Sequence, residues 1–86
     1  MRFKYDSVAD AAYVTLRPGR VASTERIDAL RLIDYDSNGV ALRVEFLDFR
    51  SGVDLTGLPE AEKIERLLPP GTRILAGRPE AIFYRD

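Results

Sequence analysis

Ile33-Asp34-Tyr35-Asp36-Ser37-Asn38-Gly39-Val40-Ala41-Leu42-Arg43-Val44-Glu45-Phe46 can be read in two ways, and the choice decides the fold. As a calcium loop it fits D-x-D-x-N-G-x5-E, with Asp34, Asp36, Asn38 and Glu45 as oxygen ligands and Gly39 at the turn. As a hairpin it is two alternating runs joined at Asn38-Gly39. Side-chain parity favours the hairpin, because alternate residues of a strand share a face. Val40, Leu42, Val44 and Phe46 form one apolar set, and Ala41, Arg43 and Glu45 the other. Before the turn, Ile33 and Tyr35 alternate with Asp34 and Asp36. A two-residue type I′ turn at Asn38-Gly39 pairs Tyr35 with Leu42, Ile33 with Val44, and Asp34 with Arg43. Slipping the register by one residue sets Asp34 against Leu42 and breaks both matches. A calcium loop also needs a helix on each side. Ser23 to Ile33 could supply one, with Ile27, Leu30 and Ile33 at helical spacing. The other flank could not, since Val44 and Phe46 prefer strands and Arg50-Ser51-Gly52 interrupts.

Working outward, the chain reads as a run of short strands. Arg2–Tyr5 alternates, with Phe3 and Tyr5 inward. Asp6 suits the turn that follows, its carboxylate accepting free backbone N–H groups, and Asp10 reads as a second turn former. Ala11–Arg17 is a second strand, with Ala12, Val14 and Leu16 on one face and Tyr13 and Thr15 on the other. Pro18-Gly19 turns the chain. Val21–Ile27 is a third strand, more polar, and could be an edge or a one-sided strand. Leu30–Asp36 and Val40–Leu47 are strands four and five. Close spacing with tight turns predicts an antiparallel meander. After a connector over 49–58, Pro59 opens a helix, Ala61, Ile64, Leu67 and Leu68 form its apolar stripe, and Pro69-Pro70-Gly71 ends it. The stripe is expected to cover a sheet face left by Leu30, Leu32 and Leu47. Arg73–Leu75 and Ala81–Tyr84 can add a last hairpin around Gly77-Arg78-Pro79. The fold class expected is α+β: an antiparallel β-meander of about five strands with one C-terminal helix packed on the sheet, in a single domain over 1–86 with a core at 1–50 and an extension at 51–86.

The order Tyr5-Asp6-x-x-Ala9-Asp10-Ala11-x-Tyr13-Val14-x-Leu16, then Val21–Ile27, Asp34-Tyr35-Asp36-x-x-Gly39 and Val44-Glu45-Phe46-Leu47-Asp48 resembles the small bacterial proteins of domain-of-unknown-function family 2283. The resemblance covers about residues 1–50. Arg43 departs from it, standing where the family pattern often has Gly. It implies a compact β-meander in which Asp34–Asn38 belongs to a hairpin. It supplies no activity, although some members sit beside toxin-like partners.

Composition narrows the chemistry. Thirteen Lys and Arg stand against fourteen Asp and Glu, giving a net charge of −1, and there is no His and no Cys. The lack of His and Cys leaves out disulfides, thiolate nucleophiles, thiolate or imidazole metal ligands and the commonest neutral-pH general base. No serine has a histidine partner, and no nucleophile elbow or phosphate loop occurs. No catalytic residues and no resident cofactor are therefore expected, and the protein reads as no enzyme. A pI near 5.4 without a basic stripe argues against nucleic acid. The basic tip Arg17-Pro18-Gly19-Arg20 reads as a solvated turn. Tyr5, Tyr13, Tyr35 and Tyr84 could line a groove but suit the rim of a core. Asp34, Asp36 and Glu45 could gather with Asp6 and Asp10 at one end of the sheet; a solvated strand face is the plainer reading. No run is long enough to span a membrane, and nothing resembles a secretion signal, so a cytoplasmic location is expected. So short a chain buries a thin core, which favours a homodimer. The reading is a protein-interaction module with a protein partner, the toxin-like neighbour included. The alternative is a divalent-metal (calcium or magnesium) or small-ligand binding domain using Asp34, Asp36, Asn38 and Glu45.

Overall fold

The computed structural model describes residues 1–79, so the expected strand Ala81–Tyr84 lies outside the described residues. The strands are β1 (Arg2–Asp6), β2 (Ala11–Thr15), β3 (Ser23–Asp28), β4 (Arg31–Tyr35), β5 (Ala41–Phe46), β6 (Val53–Asp54) and β7 (Ile74–Ala76), with one helix, α1 (Ala61–Leu67). The first five form an antiparallel sheet in the order β1-β2-β5-β4-β3. The flanks of Asp34–Glu45 are therefore strands, and the hairpin reading holds.

Cross-strand register explains why this sheet forms and no other. Phe3, Val14, Val44, Ile33 and Glu25 stand in one transverse row, and Tyr5, Ala12, Phe46 and Arg31 in the next. Both rows lie on one face, and their central members are buried. Any one-residue slip would turn Val14, Val44 and Phe46 to the polar face.

The hairpin turn differs from the expected one. The Gly39 N–H donates to the Asp36 carbonyl (3.1 Å) and the Asp36 N–H to the Val40 carbonyl (3.0 Å). Gly39 has φ +79° while Asn38 keeps negative φ, so the loop is a turn over Asp36–Gly39 followed by a bulge, not type I′. The Asp36 carboxylate stabilises it, its Oδ1 accepting from the N–H groups of Asn38 (2.8 Å) and Val40 (2.9 Å). The extra residue shifts the ladder. Ile33 meets Val44 and Asp34 meets Arg43 as expected, but Tyr35 meets Ala41 rather than Leu42. Ala41 consequently joins the core, and Val40 stays 42% exposed. Leu42 is buried under the Pro18-Gly19 turn, where a Cβ on Gly19 would come within 2.8 Å of it.

The extension packs on the sheet, on the opposite face from the one expected. Val53, Leu55, Leu58, Ile64 and Leu68 are buried in one cluster with Ala12, Val14, Ile33, Val44 and Phe46. Leu32 points the other way, level with Glu45, and Leu30 is 43% exposed. The connector contains a short 3-10 turn at Phe49–Ser51 and then β6, which pairs in parallel with β7 through Val53 N–H to Arg73 carbonyl (2.8 Å) and Leu55 N–H to Ala76 carbonyl (2.9 Å). Helix α1 begins two residues later than Pro59, after Glu60 in left-handed conformation. No helix among the described residues is long and apolar enough to cross a membrane.

Candidate functional site

The extension covers one face of the sheet, so the other face and the sheet's edges are where chemistry can reach solvent. The same register builds that second face from two polar rows: Arg2, Thr15, Arg43, Asp34 and Thr24, then Lys4, Tyr13, Glu45, Leu32 and Arg26. Near its β1 side the face forms a shallow basin of about 700 Å³, whose lining includes Arg2, Lys4, Asp6, Tyr13, Arg43 and Glu45.

Most of these groups are already engaged. Arg43 Nε donates to Asp34 Oδ2 (2.7 Å), and Thr24 Oγ1 donates to Asp34 Oδ1 (2.6 Å). Asp34 is only 7% exposed, so both of its oxygens are committed inside the face. The Arg43 guanidinium also lies 5.1 Å from the centroid of the Tyr13 ring, a cation–π contact. The Tyr13 phenol is raised above its ordinary value by the Glu45 carboxylate that stands opposite it. Arg2 and Lys4 make no ion pair or side-chain hydrogen bond among the described residues.

Two predictions arise from this row. Asp34→Ala leaves Thr24 and Arg43 without their acceptor; since Arg43 is nearly half-exposed and can turn to water, the loss is about 1–2 kcal/mol, read from the urea midpoint. For Tyr13, the folded value lies above the unfolded one. Its stabilising interaction is thus present below the unfolded value and lost as pH rises through the folded one. Glu45→Gln removes the charge, so ultraviolet titration should find Tyr13 ionising at lower pH than in the wild type.

The acidic residues do not gather at one end of the sheet. Asp34 and Asp36 sit at the β4–β5 hairpin end, while Asp6 and Asp10 sit at the β1–β2 turn, at the opposite end of the strands. Glu45 lies a residue pair away from Asp34 along β5 and faces Tyr13. Asn38 is exposed at the turn. Among the described residues no group of three or more Asp, Glu, His or Cys side chains is placed to hold a metal ion.

Asp6 and Asp10 act as turn and clasp. Asp6 Oδ1 accepts from the N–H groups of Val8 (3.0 Å) and Ala9 (3.1 Å). Tyr5 donates its hydroxyl proton to Asp10 Oδ1 (2.7 Å), and Asp10 accepts the Arg50 N–H (3.2 Å). Arg50 Nε donates to the Tyr5 oxygen (3.1 Å). This clasp ties the β1–β2 turn to the connector leaving β5. Of the tyrosines, Tyr5 and Tyr35 pack against the core, Tyr13 lies on the polar face, and Tyr84 is outside the described residues.

Sequence reasoning missed one residue with a large role. Arg31 is 7% exposed on the covered face, level with Phe46. Its Nε and one terminal nitrogen donate to Asp28 Oδ2 (3.0 and 2.8 Å), and its other nitrogen donates to the carbonyls of Asp54 (3.2 Å) and Thr56 (2.6 Å). The signal was present in parity, since Arg31 shares a face with Ile33.

No curated protein and no solved structure matches the chain. A family model does, that of a protein of unknown function, DUF2283, and it matches residues 2–50. The matched segment runs from the start of β1 through the end of β5 to Arg50. It takes in the whole five-stranded sheet and every member of the Tyr5–Asp10–Arg50 clasp. The chain belongs to the DUF2283 family.

Proposed function

We propose that this protein is a non-enzymatic interaction module of the cytoplasm that binds a protein partner by adding an extended segment of that partner to its sheet. One observation carries the reading: among the described residues, the five-stranded sheet ends on both sides in a strand with a single neighbour, β1 beside β2 and β3 beside β4. Alternate backbone N–H and C=O groups of such a strand point outward and are a template for another strand. Both strands are exposed along most of their length. The toxin-like neighbour implied by the family resemblance is one partner of this kind.

The test is native co-purification of the protein, tagged at its C-terminus, from its own cells, followed by mass spectrometry. A stoichiometric protein partner is expected. Proline placed at either of two adjacent edge positions removes an outward N–H at one of them, so Phe3→Pro and Lys4→Pro probe β1, and Glu25→Pro and Arg26→Pro probe β3. Loss of the partner with a proline in one edge, while circular dichroism still shows a folded sheet, supports the reading. A partner that survives all four prolines defeats it.

A further inference from the structure

We infer that β1 is the edge that takes the partner, and that the partner segment is a strand alternating acidic and apolar residues. This rests on the interaction reading above and gives it a place and a chemistry.

The two edges differ in what their side chains are already doing. On β3, Thr24 donates to Asp34, and Arg26 is folded back on the carbonyls of Asp28 (3.3 Å) and Ala29 (3.2 Å). The ladder of β3 is also broken by a shift between Arg26 and Asp28, which bends an edge away from further pairing. Two-fold self-addition of β3 about either of its central residues sets Glu25 against Glu25 or Arg26 against Arg26, like charges directly opposed. On β1 the ladder is regular over all five residues. Arg2 and Lys4, two residues apart, stand side by side on the polar face with no anionic partner among the described residues. Both are exposed.

The other face of β1 is apolar. Phe3 and Tyr5 are half-buried and pack on Phe49, with ring centroids 5.6 and 5.4 Å apart. A strand laid along β1 alternates between these two environments. Its residues on one side meet Arg2 and Lys4, and those on the other extend the Phe3–Tyr5–Phe49 cluster. Carboxylates answer the first set, and branched or aromatic side chains the second. A second copy of β1 is a poorer occupant. Its regular five-residue register sets Lys4 against Lys4.

The probe is a labelled synthetic peptide of about eight residues alternating Glu and Val, a usual strand length, titrated by fluorescence anisotropy against the full chain tagged at its C-terminus. Saturable binding is expected. The double charge reversal R2E/K4E, at exposed positions that leave the core untouched, should weaken it about tenfold, because each strand-edge ion pair is worth a few-fold. The reversal E25K/R26E should leave it unchanged. A peptide alternating Lys and Val should bind the R2E/K4E variant better than the wild type. The inference is overturned if the Glu-Val peptide fails to bind or R2E/K4E leaves its affinity intact. It is overturned equally if a single-stranded oligonucleotide binds as tightly, or if sedimentation shows β1 occupied by a second copy that Phe3→Pro or Lys4→Pro releases. The broader reading fails separately. If the peptide does not bind but the cellular partner is lost with proline in β3, the protein remains an interaction module with its partner on the other edge.

Discussion

A chain cut after Arg50 is expected to lose cooperative folding, even though residues 2–50 hold the whole family match and the whole five-stranded sheet. The covered face shows why. Val14 and Val44 are fully buried, Phe46 is 1% exposed, and Ile33 is 3% exposed. They are covered in part by Val53, Leu55, Leu58, Ile64 and Leu68, all of which lie beyond the cut. Fully burying one such aliphatic side chain is worth about 1.5–3 kcal/mol, so these five contribute on the order of 10 kcal/mol. That is comparable to the whole net stability of a small domain, about 5–15 kcal/mol. The cut also removes β6, β7 and the carbonyls that hold Arg31. Far-ultraviolet circular dichroism through a urea titration checks it. The full chain should unfold in one sigmoidal transition, and the 1–50 fragment should show a shallow slope with no plateau. A fragment unfolding with a sharp transition of its own would show that the extension is an accessory layer and not part of the core.

The limits of sequence reading follow from the same arrangement. Strand identity and register were legible wherever parity and charge agreed. Ile33 against Val44 and Asp34 against Arg43 needed only alternation and opposite signs. The polar stretch Val21–Ile27 was compatible with an edge or a one-sided strand, and among the described residues Ser23–Asp28 is an edge. The turn was less legible, because Asn-Gly suits two loop geometries. What separates them here is Asp36, whose carboxylate caps the Asn38 and Val40 amides and favours the bulged form, so that Ala41 rather than Val40 is taken into the core. The face covered by the extension was misread because leucines were counted without register. Leu30, Leu32 and Leu47 looked like an uncovered stripe, but Leu32 lies level with Glu45 on the polar face, and Leu47 follows Phe46 out of the core. The parallel pairing of β6 with β7 has no local signal at all, since it joins Val53 to Ile74 across an intervening helix. In the site, spacing alone left open whether the acidic residues gather or act apart. They work separately: Asp34 holds an ion pair, Asp36 and Asp6 each cap a turn, and Asp10 closes the clasp.

Replacing Arg31 with Met, which keeps the length and apolar stem but removes the donors, is expected to destabilise the protein by about 3 kcal/mol. The side chain is 8% exposed, and its guanidinium supplies four close donor contacts, two to Asp28 and one each to the Asp54 and Thr56 carbonyls. Without it, the two carbonyls lose a donor at the seam between the sheet and the extension. Asp28 is nearly half-exposed and can rehydrate, which keeps the loss below that of a fully buried pair. The pH dependence separates the Asp28 contacts of Arg31 from its contacts with the two carbonyls. Asp28 is held below the ordinary carboxylate range chiefly by its hydrogen bond from Arg31, and Asp54 chiefly by hydrogen bonds from Thr56. Glu60, at the start of α1, is held low by Arg17 and then by Lys63. All three have folded values below their unfolded ones, so their stabilisation is complete above about pH 5 and drains as pH falls through the folded values. These carboxylates sit where the extension meets the sheet or within the extension, so acid weakens the same seam that Arg31 holds. In Arg31→Met the Asp28 part of that dependence disappears. The wild type and the variant should therefore converge in stability as pH is lowered from about 5 to 2, a window set by ordinary carboxylate values. A gap between the two that stays constant across that range would mean that Arg31 acts through the Asp54 and Thr56 carbonyls and not through Asp28.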